Sequence, residues 1–250
     1  MSTSLYSAAS AMEAALAYQR ILAHNIANLN TPGYRAIAVS FDEFLRTHYN
    51  GQTAGSTPAA PFGNELGLGV QLGQGVTSFL EGSLQQTGNP LDFAISGDGF
   101  FHVQTPDGDR YTRDGRFLRN ATGQLVTVDG HPVLDTNAAP ITLPEGEVSL
   151  GPDGTLSVDG TRVAQLGIAA FAQPATDLVR GEGNLFTAQN PPTGAFQGSV
   201  SQGYVEGSNA DAAQLTTQMM QLARFYEAAQ TAVKNQDDLL GRTLSTLGNV

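Results

Sequence analysis

Two segments at opposite ends of this chain repeat apolar residues at alternating intervals of four and three positions. One covers residues 5–26 and the other residues 215–247. A mean period of about 3.5 residues places one narrow apolar stripe along a helix, as in a coiled-coil seam. Because a stripe this narrow is too small to serve a globular core, the pattern predicts two helices that pack against each other or against neighbouring chains.

The seams contain few polar residues. Their positions are Leu5, Ala9, Met12, Leu16, Gln19, Ala23 and Ile26 at one end, and Leu215, Met219, Leu222, Tyr226, Ala229, Val233, Gln236, Leu240, Thr243 and Leu247 at the other. A helical hairpin within a monomer would give a similar stripe. The strict spacing and the many alanines favour packing between molecules, so the larger apolar members are candidate assembly residues: Leu5, Met12, Leu16, Ile26, Leu215, Met219, Leu222, Tyr226, Val233, Leu240 and Leu247.

The middle of the chain has a different pattern. Residues 92–189 alternate apolar and polar positions in short runs, separated by Asp-Gly pairs that include those at 107–108, 114–115, 129–130, 153–154 and 159–160. Asp-Gly closes hairpins because both residues tolerate positive φ. The sequence therefore predicts an α+β protein: a discontinuous, coiled-coil-like helical domain from both termini, with an inserted antiparallel all-β domain.

Local signals set the expected boundaries. The first helix should cover residues 4–28 and stop at Pro32-Gly33, because proline pushes the preceding residue out of the α region. A short amphipathic turn is expected at 40–49, a loop at 50–63, an extended segment at 67–76, a returning strand at 200–206 and an N-cap at 208–211. The predicted domains are 1–38 (N-terminal helix), 39–85 (extended linker), 86–205 (β-rich) and 206–250 (C-terminal helix).

Composition excludes several kinds of partner and site. The net charge of -11 disfavours nucleic acid and anionic membranes. Only 14% of residues are charged, against about 25% on average, which suits a surface that packs against copies of itself. Cysteine is absent, so no disulfide or thiol nucleophile is expected. We find no conventional signal peptide and no membrane-spanning apolar run, so work outside the cytoplasm would need another export route.

Motifs for catalysis or cofactors are weak. The four histidines form no His-x-x-x-His pair, residues 67–75 fit neither phosphate-loop pattern, and no Gly-x-Ser-x-Gly occurs. We expect no metal, no cofactor and no catalytic site. The enzymatic alternative is a periplasmic glycan hydrolase that uses Asp92 and Asp98, which flank an apolar strand. Asp107 and Asp114 precede glycine and are better explained as turn residues.

Seven stretches, in order, resemble the bacterial flagellar rod and hook proteins. The first is His24-Asn25-Ile26-Ala27-Asn28, followed by Thr31-Pro32-Gly33-Tyr34; His24 stands where that family usually has asparagine. The others are 81–87, 91–101, 111–115, 123–127, 202–209 and 224–227. The resemblance covers nearly the whole chain and identifies it as a member of the flagellar basal-body rod family of axial proteins.

The resemblance implies a non-enzymatic structural subunit. Its terminal helices would form the inner tube of the axial drive shaft, with the β domain outside, and Asn28, Thr31, Gly33 and Tyr34 would join the assembly interface. Expected partners are copies of itself, other rod and hook proteins and the flagellar type III export apparatus, without nucleic acid or membrane insertion. The expected location is the periplasmic rod of the basal body, reached without a cleaved signal peptide.

The resemblance leaves the paralogue open. Chain length and residues 140–146 lean towards the proximal rod, whereas residues 69–70 and 202–206 look equally like the distal rod. A rod-type hook-basal-body protein of a Gram-positive flagellum is the third option.

Overall fold

A computed structural model describes the backbone of residues 2–39, 75–194 and 196–247, without the side chains of residues 2–11 and of several positions beyond 231. The chain divides into two compact units. Unit 1 comprises Met1–Ala27, Ile37–Val76 and Asp211–Val250, and unit 2 comprises Asn28–Ala36 and Thr77–Ala210. The turn, loop and most of the extended segment expected between residues 40 and 74 lie outside the described residues.

The described part mixes helices with short strands. The helices are α1 (Ser2–Ala27), α2 (Pro174–Asp177) and α3 (Ala212–Leu247). The strands are β1 (Ile37–Ala38), β2 (Val76–Thr77), β3 (Leu84–Gln86), β4 (Phe93–Ser96), β5 (Phe100–Thr105), β6 (Gly108–Thr112), β7 (Phe117–Arg119), β8 (Leu125–Thr127), β9 (Val148–Leu150), β10 (Thr155–Val158), β11 (Thr161–Gln165), β12 (Ile168–Ala169), β13 (Leu178–Arg180), β14 (Leu185–Ala188), β15 (Ser199–Gln202) and β16 (Tyr204–Glu206).

Unit 1 contains the two long helices. With 26 residues in α1 and 36 in α3, the helices are about 39 and 54 Å long at 1.5 Å per residue. They contact each other. Helix α1 ends at Ala27, before the turn in which the Thr31 amide donates to the Asn28 carbonyl (3.2 Å). Both terminal helices predicted from the sequence are therefore present, and α1 begins and ends within two residues of the expected 4–28.

Unit 2 is built from antiparallel sheets. A five-stranded sheet has the order β12-β5-β6-β14-β13, a three-stranded sheet has the order β11-β10-β9, and two-stranded sheets pair β15 with β4, β16 with β3 and β7 with β8. Side chains alternate across β5, so Phe101 and Val103 enter a cluster with Phe117, whereas Phe100 enters a second cluster. The mixed helix-and-strand class with antiparallel sheets is confirmed.

Most of the Asp-Gly turns form as predicted. Asp159 and Gly160 have φ of 49° and 77° and close the hairpin between β10 and β11, in which Val158 pairs with Thr161. Gly108 follows the turn between β5 and β6 with φ of 110°. Positive φ at both central residues fits the right-handed twist of the flanking strands.

The hairpin predicted at Asp114-Gly115 is wrong, although the Asp114 carboxylate accepts from the Arg116 amide (3.1 Å), as expected of a turn aspartate. Gly115 has no positive φ, and β6 and β7 lie in different sheets. The Phe93 amide donates to the Gly115 carbonyl (2.9 Å), and a Cβ at position 115 would lie 1.6 Å from the Phe93 carbonyl oxygen. Glycine is needed here for a close backbone approach rather than for a hairpin turn.

The expected strand at 200–206 is two strands. Gly203, with φ of 76°, separates β15 from β16. Strand β15 pairs with β4, whereas β16 pairs with β3. A left-handed glycine lets one run of extended chain change partners.

Candidate assembly interface

One face of α1 is buried within its own unit. Ala14, Tyr18, Leu22 and Asn25 follow each other at intervals of four, four and three residues, and each is at most 2% exposed. The Tyr18 hydroxyl donates to the Val39 carbonyl (3.1 Å), and burial raises the pKa of Tyr18. Tyr18 on this face therefore bonds the chain that follows the helix.

Asn25 fixes that packing with its side-chain amide. Its Nδ2 donates to the Ile37 carbonyl (2.8 Å), and its Oδ1 accepts from the Ile37 amide (2.9 Å). The two bonds satisfy both backbone groups of Ile37, the first residue of β1. Asn25 belongs to the His24–Asn28 motif, but sequence spacing gave no reason to assign it this role.

The predicted seam of α1 lies partly outside the buried face. Leu16 is 44% exposed and Ile26 is 37% exposed, whereas Met12 is half-buried. The side chain of Leu5 lies outside the described residues. Helix α1 thus carries one apolar face that is used internally and exposed apolar residues beside it.

Helix α3 begins at a capped N-terminus. The Asp211 carboxylate accepts from the amides of Ala213 (2.8 Å) and Gln214 (3.1 Å). These are two of the amides that a helix start otherwise leaves without partners. The N-cap predicted within residues 208–211 is confirmed and is Asp211.

The predicted seam of α3 faces inward over its first half. Leu215 and Leu222 are buried, and Met219, Tyr226 and Val233 are half-buried. The side chains of Leu240 and Leu247 lie outside the described part of the chain.

An apolar groove of about 400 Å³ runs between α1 and α3. Its walls are Ala15, Leu16 and Gln19 from α1, with Met219, Leu222, Ala223, Tyr226 and Glu227 from α3. Leu16, Met219 and Tyr226 retain accessible apolar surface here. A groove of this kind can accept apolar side chains from another helix.

The motif residues after α1 belong to unit 2. Asn28 accepts a hydrogen bond from the Thr31 hydroxyl (3.1 Å). Gly33 has φ of 67°, and a Cβ at that position would lie 2.3 Å from the Arg113 carbonyl carbon. Tyr34 is buried, with the Arg180 guanidinium 5.0 Å from its ring centroid. Burial raises the pKa of Tyr34, and the Arg180 charge partly offsets that rise.

Beside this motif a buried carboxylate joins two arginines. Arg35 Nη1 lies 2.5 Å from Glu206 Oε1, and Arg113 Nη1 lies 3.1 Å from Glu206 Oε2. All three side chains are at most 3% exposed. The Gly82 amide also donates to Glu206 Oε1 (2.7 Å). Burial lowers the pKa of Arg113, while Glu206 opposes that change.

Asn209 forms a second polar centre in the same region. Its Oδ1 accepts from the Ala36 amide (2.6 Å), and its Nδ2 donates to the carbonyls of Ser78 (2.9 Å) and Leu80 (2.8 Å). Arg113, Glu206 and Asn209 lie in the stretches 111–115 and 202–209 that resemble the rod and hook proteins, but the sequence indicated no such bonds for them. One signal was available in the sequence. Charged residues are scarce, so Arg35, directly after Tyr34, stands out as a residue that needs a partner.

The two carboxylates of the hydrolase alternative lie at opposite ends of β4. Asp92 is buried and accepts from Asn89 Nδ2 (3.0 Å), whereas Asp98 is exposed beside a groove that includes Phe171 and Gln197. The intervening strand alone is about 13 Å long. Glycosidase carboxyl pairs are about 5 to 10 Å apart, so this placement does not form such a pair.

The described residues contain neither a metal-binding cluster nor a membrane-spanning helix. Among residues 2–39, 75–194 and 196–247, no group of three histidine or acidic side chains could hold a metal ion. No helix in the described part of the chain has the length and apolar character needed to cross a membrane.

Three family descriptions match successive parts of the chain. Residues 5–35 match the flagella basal body rod protein family, residues 94–158 match the flagellar hook protein FlgE/F/G D1 domain, and residues 201–246 match the flagellar basal body rod FlgEFG protein C-terminal family. The first and third contain the two helices and the motifs that adjoin them. The second covers much of the antiparallel unit.

Full-length relatives agree with these matches. The flagellar basal-body rod protein FlgF of Rhizobium meliloti is 35% identical over 99% of both chains. The flagellar basal-body rod protein FlgG of Bacillus subtilis is 34% identical over 96% of this chain and 97% of its own. The FlgG protein of Agrobacterium fabrum is 35% identical over 93% and 94%. The chain belongs to the flagellar basal-body rod protein family, and relatives named FlgF and FlgG match it at similar identity.

Proposed function

We propose that this chain is a structural subunit of the bacterial flagellar basal-body rod and that it polymerises through α1 and α3. Its partners are copies of itself and other rod and hook proteins. The observation that carries the proposal is the apolar groove between the helices, together with the exposed Leu16 and Ile26 on α1.

The energetics favour helix-mediated assembly. Full burial of a leucine or isoleucine side chain contributes about 1.5–3 kcal/mol. Because Leu16 and Ile26 are 44% and 37% exposed, each adds less than half of that to a subunit contact. A contact between unlike surfaces that does not close into a ring generates an open helical filament. Two long helices with apolar residues left outside their own core are suited to that arrangement.

We further propose that the flagellar type III system exports the chain, without a cleaved signal peptide, to the periplasmic part of the basal body. Family membership supports this route. The net charge of -11 supports partners other than nucleic acid or anionic lipid. The separation of Asp92 from Asp98 supports a subunit without hydrolytic activity.

A charge on the exposed seam tests the assembly role. Leu16→Asp places a carboxylate where apolar packing is expected, at a cost of several kcal/mol per contact. In the parent bacterium we expect loss of swimming and incomplete rods, while Leu16→Met, which conserves volume, swims normally.

A folding measurement distinguishes a loss of assembly in Leu16→Asp from a loss of the fold. Purified Leu16→Asp should keep the urea midpoint of unit 2, because Leu16 belongs to unit 1. Complete rods and normal swimming with Leu16→Asp would contradict assembly through this surface.

A further inference from the structure

Three pieces of chain that are distant in sequence meet inside unit 2. They are residues 33–36, 78–82 and 206–209, and with Arg113 we call them the junction clamp. Each of the three pieces lies beside a point where the chain leaves unit 2, whose segments are Asn28–Ala36 and Thr77–Ala210. The clamp therefore holds together three of the four points at which the chain crosses the boundary of this unit, those at 36–37, 76–77 and 210–211.

Backbone bonds link the three pieces in pairs. The Gly33 amide donates to the Glu206 carbonyl (2.7 Å), and the Ser78 amide donates to the Ala36 carbonyl (2.8 Å). The Asn209 side chain then reaches both Ala36 and Ser78. Because each bond positions the groups that make the next one, the network should be cooperative.

The charged groups of the clamp depend on Glu206, which lies in the last of the three segments. The Glu206 carboxylate accepts from Arg35 and Arg113, and Arg35 Nη1 also donates to the Leu80 carbonyl (2.8 Å). Without Glu206, two buried guanidinium groups would lose their carboxylate. Removing one partner of a buried charge pair is strongly destabilising because the other charge stays behind uncompensated.

Of the two core clusters of unit 2, the second contacts the clamp, because Phe79 packs on Phe100 and Phe186, and the first does not include it. The cluster that contains Phe93, Phe117 and Leu125 has no member among the clamp residues. The clamp contacts also span long stretches, with 171 positions between Arg35 and Glu206 and 124 between Gly82 and Glu206. Contacts of such separation carry a high loop-closure cost and form late unless a core has already shortened the loop.

We propose that the junction clamp opens and closes as one cooperative unit while the core of unit 2 is already folded. It closes only when residues 206–209 are in place. During synthesis, a chain that extends only to residue 200 lacks both Glu206 and Asn209, so its junction clamp stays open. Opening releases these three boundary points from one another while the sheets persist.

Native-state amide exchange on the full chain tests this inference. The clamp amides are those of Gly33, Ala36, Ser78 and Gly82, and the reference amides are those of Phe93, His102 and Leu125, which bond within the sheets and loops of the core. Glu206→Gln should speed exchange at the clamp amides about 100-fold and at the reference amides less than about threefold.

Asn209→Ala gives the sharper readout. Of the clamp amides, only that of Ala36 donates to Asn209, so faster exchange at Gly33 and Gly82 in this variant would demonstrate a single cooperative piece. Acceleration at Ala36 alone, or equal acceleration at the reference amides, would overturn the proposal. If Glu206→Gln does not fold, this variant decides.

Asp177→Asn is the matched control. Asp177 is also a buried carboxylate of unit 2 and accepts from Asn190 Nδ2 (2.8 Å) and the Gln173 amide (3.1 Å). It lies outside the clamp, so the four clamp amides should exchange as in wild type. Clamp amides that exchange as fast in Asp177→Asn as in Glu206→Gln would count against a clamp that opens independently of the core.

Discussion

Gly33 combines two demands that only glycine meets. Its φ of 67° is unfavourable for other residues, and a Cβ would lie 2.3 Å from backbone atoms of both Arg113 and Asp114. Backbone atoms cannot move aside as the end of a flexible side chain can. The motif residue is therefore fixed by a close approach of two chain segments as well as by its turn.

Gly33→Ala and Gly88→Ala separate these demands. Gly88 has a similar φ of 74° with nothing within 4 Å of its added Cβ. We expect Gly88→Ala to lower the free energy of unfolding by about 1 kcal/mol and Gly33→Ala by about 3 kcal/mol or more, measured by urea titration. Equal losses would mean that the close approach to Arg113 costs nothing.

Tyr111 makes unit 2 sensitive to alkaline pH. Burial, followed by the charge of Asp109, raises its pKa above the ordinary 10.0. A raised phenol pKa contributes stability that is fully present below pH 10 and is lost as the pH rises through the folded-state value.

We therefore expect the free energy of unfolding to fall above about pH 10, and to fall less steeply in Tyr111→Phe, in urea titrations at successive pH values. Asp109→Asn should remove the smaller part of the effect. A slope that is unchanged in Tyr111→Phe would show that this phenol does not contribute.

At the scale of elements, the N-cap of α3 makes its own contribution to the free energy of unfolding. Asp211→Ala removes the acceptor for the Ala213 and Gln214 amides and should cost about 1 kcal/mol of unfolding free energy, whereas Asp211→Asn should cost only a few tenths. Thermal unfolding and amide exchange at both positions would measure this. If the two variants behave alike, the cap contributes nothing.

The elements that could be predicted are those with local signals. Pro32 and Asp211 bound the two long helices, and Asp159-Gly160 closes a hairpin, because turns and caps act within a few residues. Gly115 escaped prediction because its reason for being glycine, the carbonyl of Phe93, lies 22 positions away in sequence. Local spacing carries no record of such an approach.

The internal face of α1 also could not be predicted. It combines two small or apolar residues with Tyr18 and Asn25, and Asn25 is polar, so a count of apolar positions passes over it. The partners of Asn25 and Tyr18 are backbone groups of Ile37 and Val39. Likewise, nothing near Arg35 in sequence indicates that its partner is Glu206.

For the whole molecule, the sequence predicts an assembly surface at the two ends of the chain. The described structure divides the residues of that predicted surface into buried and exposed ones. Some seam residues, such as Leu215 and Leu222, are buried within unit 1, whereas Leu16 and Ile26 keep exposed surface. The first group should govern the stability of the unit. The second group is available for other subunits, which is the central claim of the proposed function.

Photo-crosslinking in intact basal bodies tests that claim most directly. With benzoylphenylalanine at Leu16 or Ile26, irradiation should join this 26.2 kDa chain to a second copy or to another rod protein, identified by peptide mass. The same probe at Asp107, in the exposed turn between β5 and β6, is the control and should give far less of that product. Seam probes that react only within their own chain, or no more than the probe at Asp107, would contradict assembly through the terminal helices.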